Sequence, residues 1–141
     1  MKKTIWFIVN PISGKSKKKT LQKQIEKYLH HSKYNYEFIF SSHAGNLTEL
    51  AEKAIEKKID VLCVAGGDGS VHEAGKVLKG TDIILSIIPV GSGNGFARHF
   101  EIPLNIENAL SIVNNGVPVK VDTGLINEHV FLAFAGIAFD A

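Results

Sequence analysis

Short, uninterrupted apolar runs alternate along this chain with segments whose apolar residues recur at helical spacing. The first run, at 5–9, reads Ile-Trp-Phe-Ile-Val and is typical of a strand covered on both faces. Trp6 is therefore expected in the core. This alternation predicts an α/β fold of three layers, with a mainly parallel sheet and crossover helices. We predict strands at 4–9, 36–40, 59–65 and 83–88, and helices at 16–30, from Asn46 onward, at 70–78 and at 106–113.

The pattern changes after Gly116. Residues 117–126 and 130–139 have strand character and are separated by a short polar connection, which predicts a β-hairpin rather than another crossover unit. The 141 residues correspond to one domain of ordinary size. The second strand of the hairpin reaches 140–141 without a capping or breaking residue, so we expect the chain to stop partway through an element.

Composition excludes several classes of protein. Cys63 is the only cysteine, which rules out an internal disulfide and a cysteine-based zinc site. No apolar run approaches the about 20 residues of a membrane-spanning helix, and residues 1–9 lead to no signal-peptide cleavage site. The six histidines lack metal-ligand spacing. We therefore expect a cytoplasmic protein.

The charge is unevenly distributed. The first 33 residues hold nine lysines against Glu26, a net charge of +8, whereas the rest of the chain carries −6. A positive region attracts polyanions, such as nucleotide phosphates, nucleic acid or an anionic membrane surface. A solvated helix face is the commoner explanation of a lysine run such as 17–19.

Two glycine-rich loops each follow a predicted strand and precede a predicted helix. One contains Gly66, Gly67 and Gly69, and the other contains Gly91, Gly93 and Gly95. This position is the carboxyl edge of a parallel sheet, where open α/β folds bind ligands. Glycine lets backbone N–H groups approach an anion, and the next helix adds its positive end, so phosphate is the expected ligand.

Two common phosphate-binding motifs do not fit this spacing. A Rossmann motif needs glycine where His72 or Phe96 stands, and a Walker A motif needs glycine where Val9 stands. Ser13, Gly14 and Lys15 can nevertheless offer donors and positive charge to phosphates.

The polar residues of the loops indicate phosphoryl chemistry. Asp68 beside phosphates is favourable if it holds Mg²⁺, directly or through water, or accepts a proton from an attacking hydroxyl; the alternative is a turn aspartate. Ser92 and Asn94 offer neutral hydrogen bonds, and Arg98 could bind phosphate or brace its loop. Glu73 follows Ser70 by three residues, which predicts a capping box at the start of that helix.

Three segments together resemble the diacylglycerol kinase catalytic domain family, which includes bacterial lipid kinases, sphingosine kinases and ceramide kinases. They are Asn-Pro-Ile-Ser-Gly-Lys at 10–15, Gly-Gly-Asp-Gly-Ser-Val-His-Glu at 66–73 and Pro-Val-Gly-Ser-Gly-Asn-Gly-Phe-Ala-Arg at 89–98. The resemblance covers residues 5–141 and implies the nucleotide-site architecture that this family shares with NAD kinases and phosphofructokinases.

The resemblance implies that Asp68 lies near the phosphates as the catalytic residue, and that within these 141 residues it is the one candidate to contact Mg²⁺, through water. Ser41 matches a threonine that contacts the nucleotide in relatives. Together with the loop chemistry, the resemblance implies ATP binding by Asn10, Pro11, Ser13, Gly14, Lys15, Ser41, Gly66, Gly67, Asp68, Gly69, Ser70, His72, Gly91, Ser92, Gly93, Asn94 and Arg98.

Two positions depart from the family pattern. Ser70 stands where threonine is usual, and Gly95 stands where many bacterial members have aspartate. The form Gly-Ser-Gly-Asn at 91–94 is more similar to sphingosine kinases, so the lipid substrate is left open.

The family resemblance also implies a two-domain organisation. We expect an ATP-binding α/β domain at 1–118 and, at 119–141, the start of a second, β-rich domain that supplies acidic residues for magnesium, the catalytic base and much of the lipid site. The expected function is an ATP- and Mg²⁺-dependent lipid kinase that associates peripherally with a membrane surface. We expect no nucleic-acid partner, and the sequence leaves a homo-oligomer possible. The fragment alone is expected to be inactive. The alternatives are an NAD kinase-like phosphotransferase and a non-catalytic nucleotide-binding module.

Overall fold

The computed structural model describes residues 2–9, 14–41, 46–66, 68–89, 106–115, 117–122 and 129–134. Strands and helices alternate until the last two elements, which are both strands. The order is β1 (Lys3–Val9), α1 (Gly14–Tyr28), β2 (Tyr34–Phe40), α2 (Asn46–Glu56), β3 (Val61–Gly66), α3 (Asp68–Leu78), β4 (Ile84–Pro89), α4 (Ile106–Asn115), β5 (Val117–Asp122) and β6 (His129–Phe134).

The strands form one sheet in the order β2-β1-β3-β4-β6-β5. All neighbouring pairs are parallel except β5 and β6, which are antiparallel. The step from β1 to β2 and the step from β2 to β3 run in opposite directions along the sheet. Right-handed connections therefore place α1 and α2 on opposite faces.

Two apolar clusters, one on each face of the sheet, confirm this three-layer arrangement. Side chains of α2 and α3 pack in one cluster, and side chains of α1 and α4 pack in the other. Consecutive residues of β1 alternate between the two: Trp6 and Ile8 face α2 and α3, whereas Phe7 faces α1 and α4. The strand is apolar throughout because both faces are covered. Trp6 is a core residue, as the sequence predicts.

The predicted elements are present with shifted ends. The helix predicted at 16–30 lies at Gly14–Tyr28, and the strand predicted at 36–40 begins two residues earlier, at Tyr34. Tyr34 belongs to the strand because it is buried and its hydroxyl donates to the carbonyl of Val113, at 2.8 Å. That contact connects residues far apart in sequence, so local spacing does not reveal it.

The predicted hairpin is confirmed within the described residues, 117–122 and 129–134. Val117 pairs with Phe134 and Asp122 with His129 in antiparallel register. β6 also pairs in parallel with β4, so the hairpin extends the same sheet. The predicted domain boundary between 118 and 119 falls inside β5, and the division into two domains stays a prediction.

Asn114 connects the ends of two helices at the opposite edge of the sheet from the glycine loops. Its Oδ1 accepts a hydrogen bond from the backbone N–H of His30, and its Nδ2 donates to the carbonyl of Tyr28, both at 2.9 Å. The Nζ of Lys33 donates to the carbonyl of Asn114. The side chain is 3% exposed, and these bonds satisfy its amide.

Candidate functional site

The carboxyl ends of four parallel strands lie together at one edge of the sheet. In the register, Val9 pairs with Phe40 on one side and Ala65 on the other, and Gly66 pairs with Pro89. The loops that follow β1, β2, β3 and β4 therefore all leave the sheet from this edge. The two glycine-rich loops start here, as the sequence predicts. Ser41 and the Asn-Pro segment follow β2 and β1 at the same edge.

The topological switch point of this sheet, where open α/β sheets form a crevice, lies between β1 and β3. These strands are neighbours, but the chain leaves β1 toward α1 on one face and leaves β3 toward α3 on the other. A parallel sheet opens at such a switch point, and ligands of open α/β folds bind there. The Asn-Pro segment follows β1 in the chain and the Gly-Gly-Asp-Gly segment follows β3, so the two strand ends at this crevice are the ones from which both motifs depart.

Two helices begin beside this crevice. α1 starts at Gly14, with Lys15 as its second residue, and α3 starts at Asp68, immediately after the loop from Gly66. The first backbone N–H groups of a helix have no partner within the helix, and they carry its partial positive charge. Both helix starts therefore direct donors toward the carboxyl edge, where phosphate groups are favoured.

Gly66 fixes how closely β3 and α3 approach. A β-carbon added to Gly66 would lie 2.9 Å from Ser70 Oγ and 3.0 Å from Ser70 Cβ, which is shorter than real contacts of this kind. Only glycine allows the first turn of α3 to pack this tightly on the end of the strand.

The space around Gly69 is different. A β-carbon there would meet none of the described atoms within 4 Å, and Gly69 and His72 are both exposed. The fold does not require glycine at this position. Its open space at the start of α3 is available to a ligand.

Ser41 ties the end of β2 to the end of β1. Its backbone N–H and its hydroxyl both donate to the carbonyl of Val9, at 3.0 and 3.3 Å, and the residue is 7% exposed. The contact of Ser41 with a nucleotide stays a prediction. The bonds to Val9 show a second role, which is to hold the strand end from which the Asn-Pro segment departs.

The predicted capping box at Ser70 is wrong. α3 begins at Asp68, so Ser70 is already the third residue of the helix and does not stand before it. The carboxylate of Glu73 instead accepts two hydrogen bonds from Thr48 in α2, from the backbone N–H at 2.9 Å and from Oγ1 at 2.8 Å. Glu73 therefore caps the neighbouring helix.

Sequence analysis did not single out Thr48 or the carbonyl of Val9. Thr48 lies 25 residues from Glu73, and Ser41 lies 32 residues from Val9. Pairs at such separations carry no periodic signal, so only the packing of the elements brings them together. A threonine in the first turn of α2 is the single local indication of a polar contact there.

The remaining predicted site residues lie outside the described residues. They are Asn10, Pro11, Ser13, Gly67, Gly91, Ser92, Gly93, Asn94 and Arg98. Gly14, Lys15 and Asp68 are placed by their backbone. Within the ranges that the structure describes, no three side chains of histidine, cysteine, aspartate or glutamate cluster as a metal site. No helix in those ranges is long and apolar enough to cross a bilayer.

The lysines of α1 form an exposed row. Lys19, Lys23 and Lys27 recur every four residues, so they share one side of the helix, and all three are exposed. Leu21 and Ile25 lie on the other side, buried against the sheet. Among the described residues, these three lysines are the exposed part of the positive amino-terminal region that lies on α1.

Comparison with known proteins adds a family match. The family model of the diacylglycerol kinase catalytic domain matches residues 4–126. A diacylglycerol kinase from Staphylococcus aureus is 36% identical over 138 residues, covering 96% of this chain and 44% of that protein. An uncharacterized protein from Synechocystis is 33% identical over 151 residues, covering 99% of this chain and 34% of that protein.

Solved structures give the same result for the fold. A crystal structure of a diacylglycerol kinase from Bacillus anthracis aligns with a TM-score of 0.66 at 25% identity, over 90% of this chain and 44% of that one. Another solved chain from that organism aligns with a TM-score of 0.71 at 28% identity, over 84% of this chain and 42% of that one. The chain thus spans less than half the length of these relatives.

Proposed function

This chain belongs to the diacylglycerol kinase catalytic domain family, and from that premise we propose that it is the nucleotide-binding part of an ATP-dependent lipid kinase. The reaction is transfer of the γ-phosphoryl group of ATP to a hydroxyl group of a membrane lipid. The observation that carries this proposal is the crevice between β1 and β3, where two helices begin, each at one of the family's three motifs.

Phosphate binding follows from the donors at this edge. The N–H groups at the starts of α1 and α3 would bind phosphate oxygens, and Lys15 would add a full positive charge. Ser41, Gly66, Gly69, Ser70 and His72 lie along the same edge. The predicted residues of the Asn-Pro and Gly-Ser-Gly-Asn segments would complete the nucleotide site.

Asp68 is the proposed catalytic residue because it opens α3 at the crevice. In the transfer, the lipid oxygen bonds to the γ-phosphorus, the bond from that phosphorus to the β–γ bridging oxygen breaks, and the hydroxyl proton passes to a base. Such reactions depend on positioning and charge neutralisation, which the helix donors, Lys15 and a metal ion near Asp68 would supply. Asp68 would act on the phosphates through bound metal, and we assign the base to the second domain.

Mg²⁺ is the metal that this chemistry implies, and it would neutralise charge on the phosphates. Magnesium is usually held by one or two carboxylates together with substrate phosphates and water. Among the described residues no three side chains cluster as a metal site. Asp68 opens α3 at the crevice, and we assign it to a nucleotide-borne ion, which it would hold through water.

The lipid would be reached at a membrane surface. The exposed row Lys19, Lys23 and Lys27 carries three positive charges on one side of α1. Anionic headgroups attract such a row, with about 1 kcal/mol for each lysine near the surface. We propose that the enzyme docks peripherally and that residues beyond 118 lead into a β-rich domain that carries most of the lipid site, so this part alone binds nucleotide without transferring phosphate.

The test uses the complete protein, radiolabelled ATP and fractionated lipids. Wild type is expected to label a lipid hydroxyl, and Asp68→Asn is expected to reduce that rate by at least about a hundredfold while ATP binding is retained. The matched control is Asp82→Asn, an exposed aspartate before β4 at the opposite edge of the sheet, which should keep the wild-type rate. Undiminished lipid labelling by Asp68→Asn would remove that residue from the mechanism.

A further inference from the structure

We propose that Glu73 is a positioning residue of the nucleotide site, which it serves by joining the start of α2 to α3. The inference rests on the proposed function, because it concerns how the same site is held in place. Glu73 lies in the second turn of α3, and its partner Thr48 lies in the first turn of α2. Neither residue is assigned to contact the nucleotide.

One carboxylate oxygen makes both bonds. Glu73 Oε2 accepts from the backbone N–H of Thr48 at 2.9 Å and from Thr48 Oγ1 at 2.8 Å. The contact is partly buried, so water competes less for these donors than it would on an exposed surface. Hydrogen bonds to a charged acceptor are roughly twice as strong as neutral ones.

The contact also changes what the start of α2 can bind. Among the described elements, α1, α2 and α3 all begin at the carboxyl edge of the sheet. A negative group is favoured at the first turn of a helix, and at α2 the chain's own Glu73 provides it. Of these three helix starts, the electrostatic preference for phosphate is thereby left to α1 and α3, which border the crevice.

Apolar packing makes this link stiff. Leu47 beside Thr48 and Ala74 beside Glu73 are buried in the same cluster, and Ala51 and Ala54 are fully buried there as well. Alanines let two helices approach closely, so a shift of one helix start is resisted by the other. The polar contact sets the register of the two helices at the end nearest the site.

The consequence for the site concerns two loops. The connection from β2 to α2 is anchored at one end by Ser41 on the carbonyl of Val9 and near the other by Thr48 on Glu73. The connection from β3 to α3 leads from Gly66 to Asp68, five residues before Glu73. Glu73 therefore fixes the Ser41 connection relative to the Gly-Gly-Asp-Gly loop.

The experiment measures the ATP dissociation constant, KM and kcat of the complete protein. Glu73→Ala is expected to raise the KM and the dissociation constant for ATP on the order of tenfold, since it removes two charge-assisted hydrogen bonds. The value of kcat at saturating ATP should change by less than about twofold, because Glu73 touches no reacting atom. Glu73→Gln, which keeps the shape, should give an intermediate effect. Exposed Glu52 on α2 provides the matched control, Glu52→Ala, with wild-type constants expected.

Thr48 supplies the second half of the test. Thr48→Val removes the hydroxyl donor, and combined with Glu73→Ala it should add little to the effect of Glu73→Ala alone, because both changes break one contact. Thr48→Ser keeps the hydroxyl and should keep the KM for ATP near the wild-type value. Urea denaturation of each variant checks that the measured protein is folded. If Glu73→Ala does not fold, the double-mutant cycle is measured with Glu73→Gln and Thr48→Val instead.

The outcomes separate this inference from the proposed function. An unchanged ATP dissociation constant in Glu73→Gln and Thr48→Val, with lowered stability, makes the contact purely structural and overturns the inference. A wild-type protein that binds ATP but phosphorylates no lipid overturns the proposed function alone, and the dissociation constants still decide the role of Glu73. A wild-type protein that binds no ATP overturns both.

Discussion

The Cβ position of Gly66 lies within 3.0 Å of the side chain of Ser70. Gly66→Ala therefore forces the first turn of α3 away from β3, and we expect a loss of about 1–3 kcal/mol in the free energy of unfolding. ATP binding should weaken with it, because the displaced turn carries Asp68. Urea denaturation and isothermal titration calorimetry measure the two effects.

Gly75 provides the control for this substitution. A β-carbon at Gly75 would meet Leu85 Cδ2 at 3.9 Å, an ordinary contact, and the residue lies inside α3. Gly75→Ala should leave the unfolding free energy unchanged or raise it by up to about 1 kcal/mol. Equal destabilisation by both substitutions would refute the steric explanation for Gly66.

Gly69→Ala should separate ligand binding from stability. The new methyl group would meet no described atom within 4 Å, so the fold should tolerate it. The same methyl group would stand where phosphate is proposed to approach the start of α3, and we expect an ATP dissociation constant about tenfold higher. Calorimetric titration with ATP, together with an unchanged urea midpoint, checks this; an unaltered affinity would place the phosphates elsewhere.

Replacing Lys19, Lys23 and Lys27 with glutamine should weaken membrane binding and spare ATP binding. At about 1 kcal/mol for each lysine, the loss on anionic vesicles is on the order of a hundredfold at low salt, and much less at high salt. Vesicle sedimentation measures it. The control replaces three other exposed lysines with glutamine and so removes equal charge from the other side of the sheet. These are Lys53 on α2, Lys57 just after α2 and Lys76 on α3. Equal losses in both triple variants would show a general charge effect.

Cys63 should make the fold less stable in alkali. Burial raises the pKa of its thiol above the unfolded value of 9.0, because the side chain is fully buried in β3. Below that unfolded pKa both states keep the proton; above it the unfolded chain loses the proton that the folded chain retains. The unfolding free energy should then fall by up to about 1.4 kcal/mol for each pH unit.

Urea unfolding between about pH 8 and about pH 10 measures this slope. Cys63→Ala should have a lower stability throughout and a flatter dependence in that interval. Burial also raises the pKa of Tyr34, whose ordinary value is 10.0, so its contribution begins at higher pH. A slope that survives in Cys63→Ala would assign the effect to another group.

The fold could be predicted from the sequence because its signals are local. Uninterrupted apolar strands and helical spacing fix the element types, and Gly66 and Gly91 mark two sheet-edge loops. The helix ends were less accurate. The predicted box at Ser70 satisfied the spacing rule, yet Glu73 finds a stronger set of donors on α2, and a rule based on spacing within one helix does not include that competitor.

Only the motif residues of the site could be predicted from the sequence. Sequence places the Gly66 loop, with Asp68, and the Gly91 loop at the same sheet edge, since parallel strands align their carboxyl ends. It does not indicate that the hydroxyl of Ser41 binds the carbonyl of Val9, or that Asn114 joins α1 to α4, because these pairs form only when distant segments pack.

The Asn114 contacts also lead us to predict an order of events during folding. They close over 84 and 86 residues, whereas β2, α2, β3, α3 and β4 follow one another and can assemble stepwise. Contacts that enclose long segments cost more entropy before they form, so the layer of α2 and α3 should assemble early and the α1–α4 layer late. Asn114→Ala should then accelerate unfolding in stopped-flow experiments while the refolding rate stays nearly constant; a slowed refolding rate would place the contact in the folding nucleus. The face of the sheet that we expect to be completed last is the α1–α4 face, which also carries the lysine row.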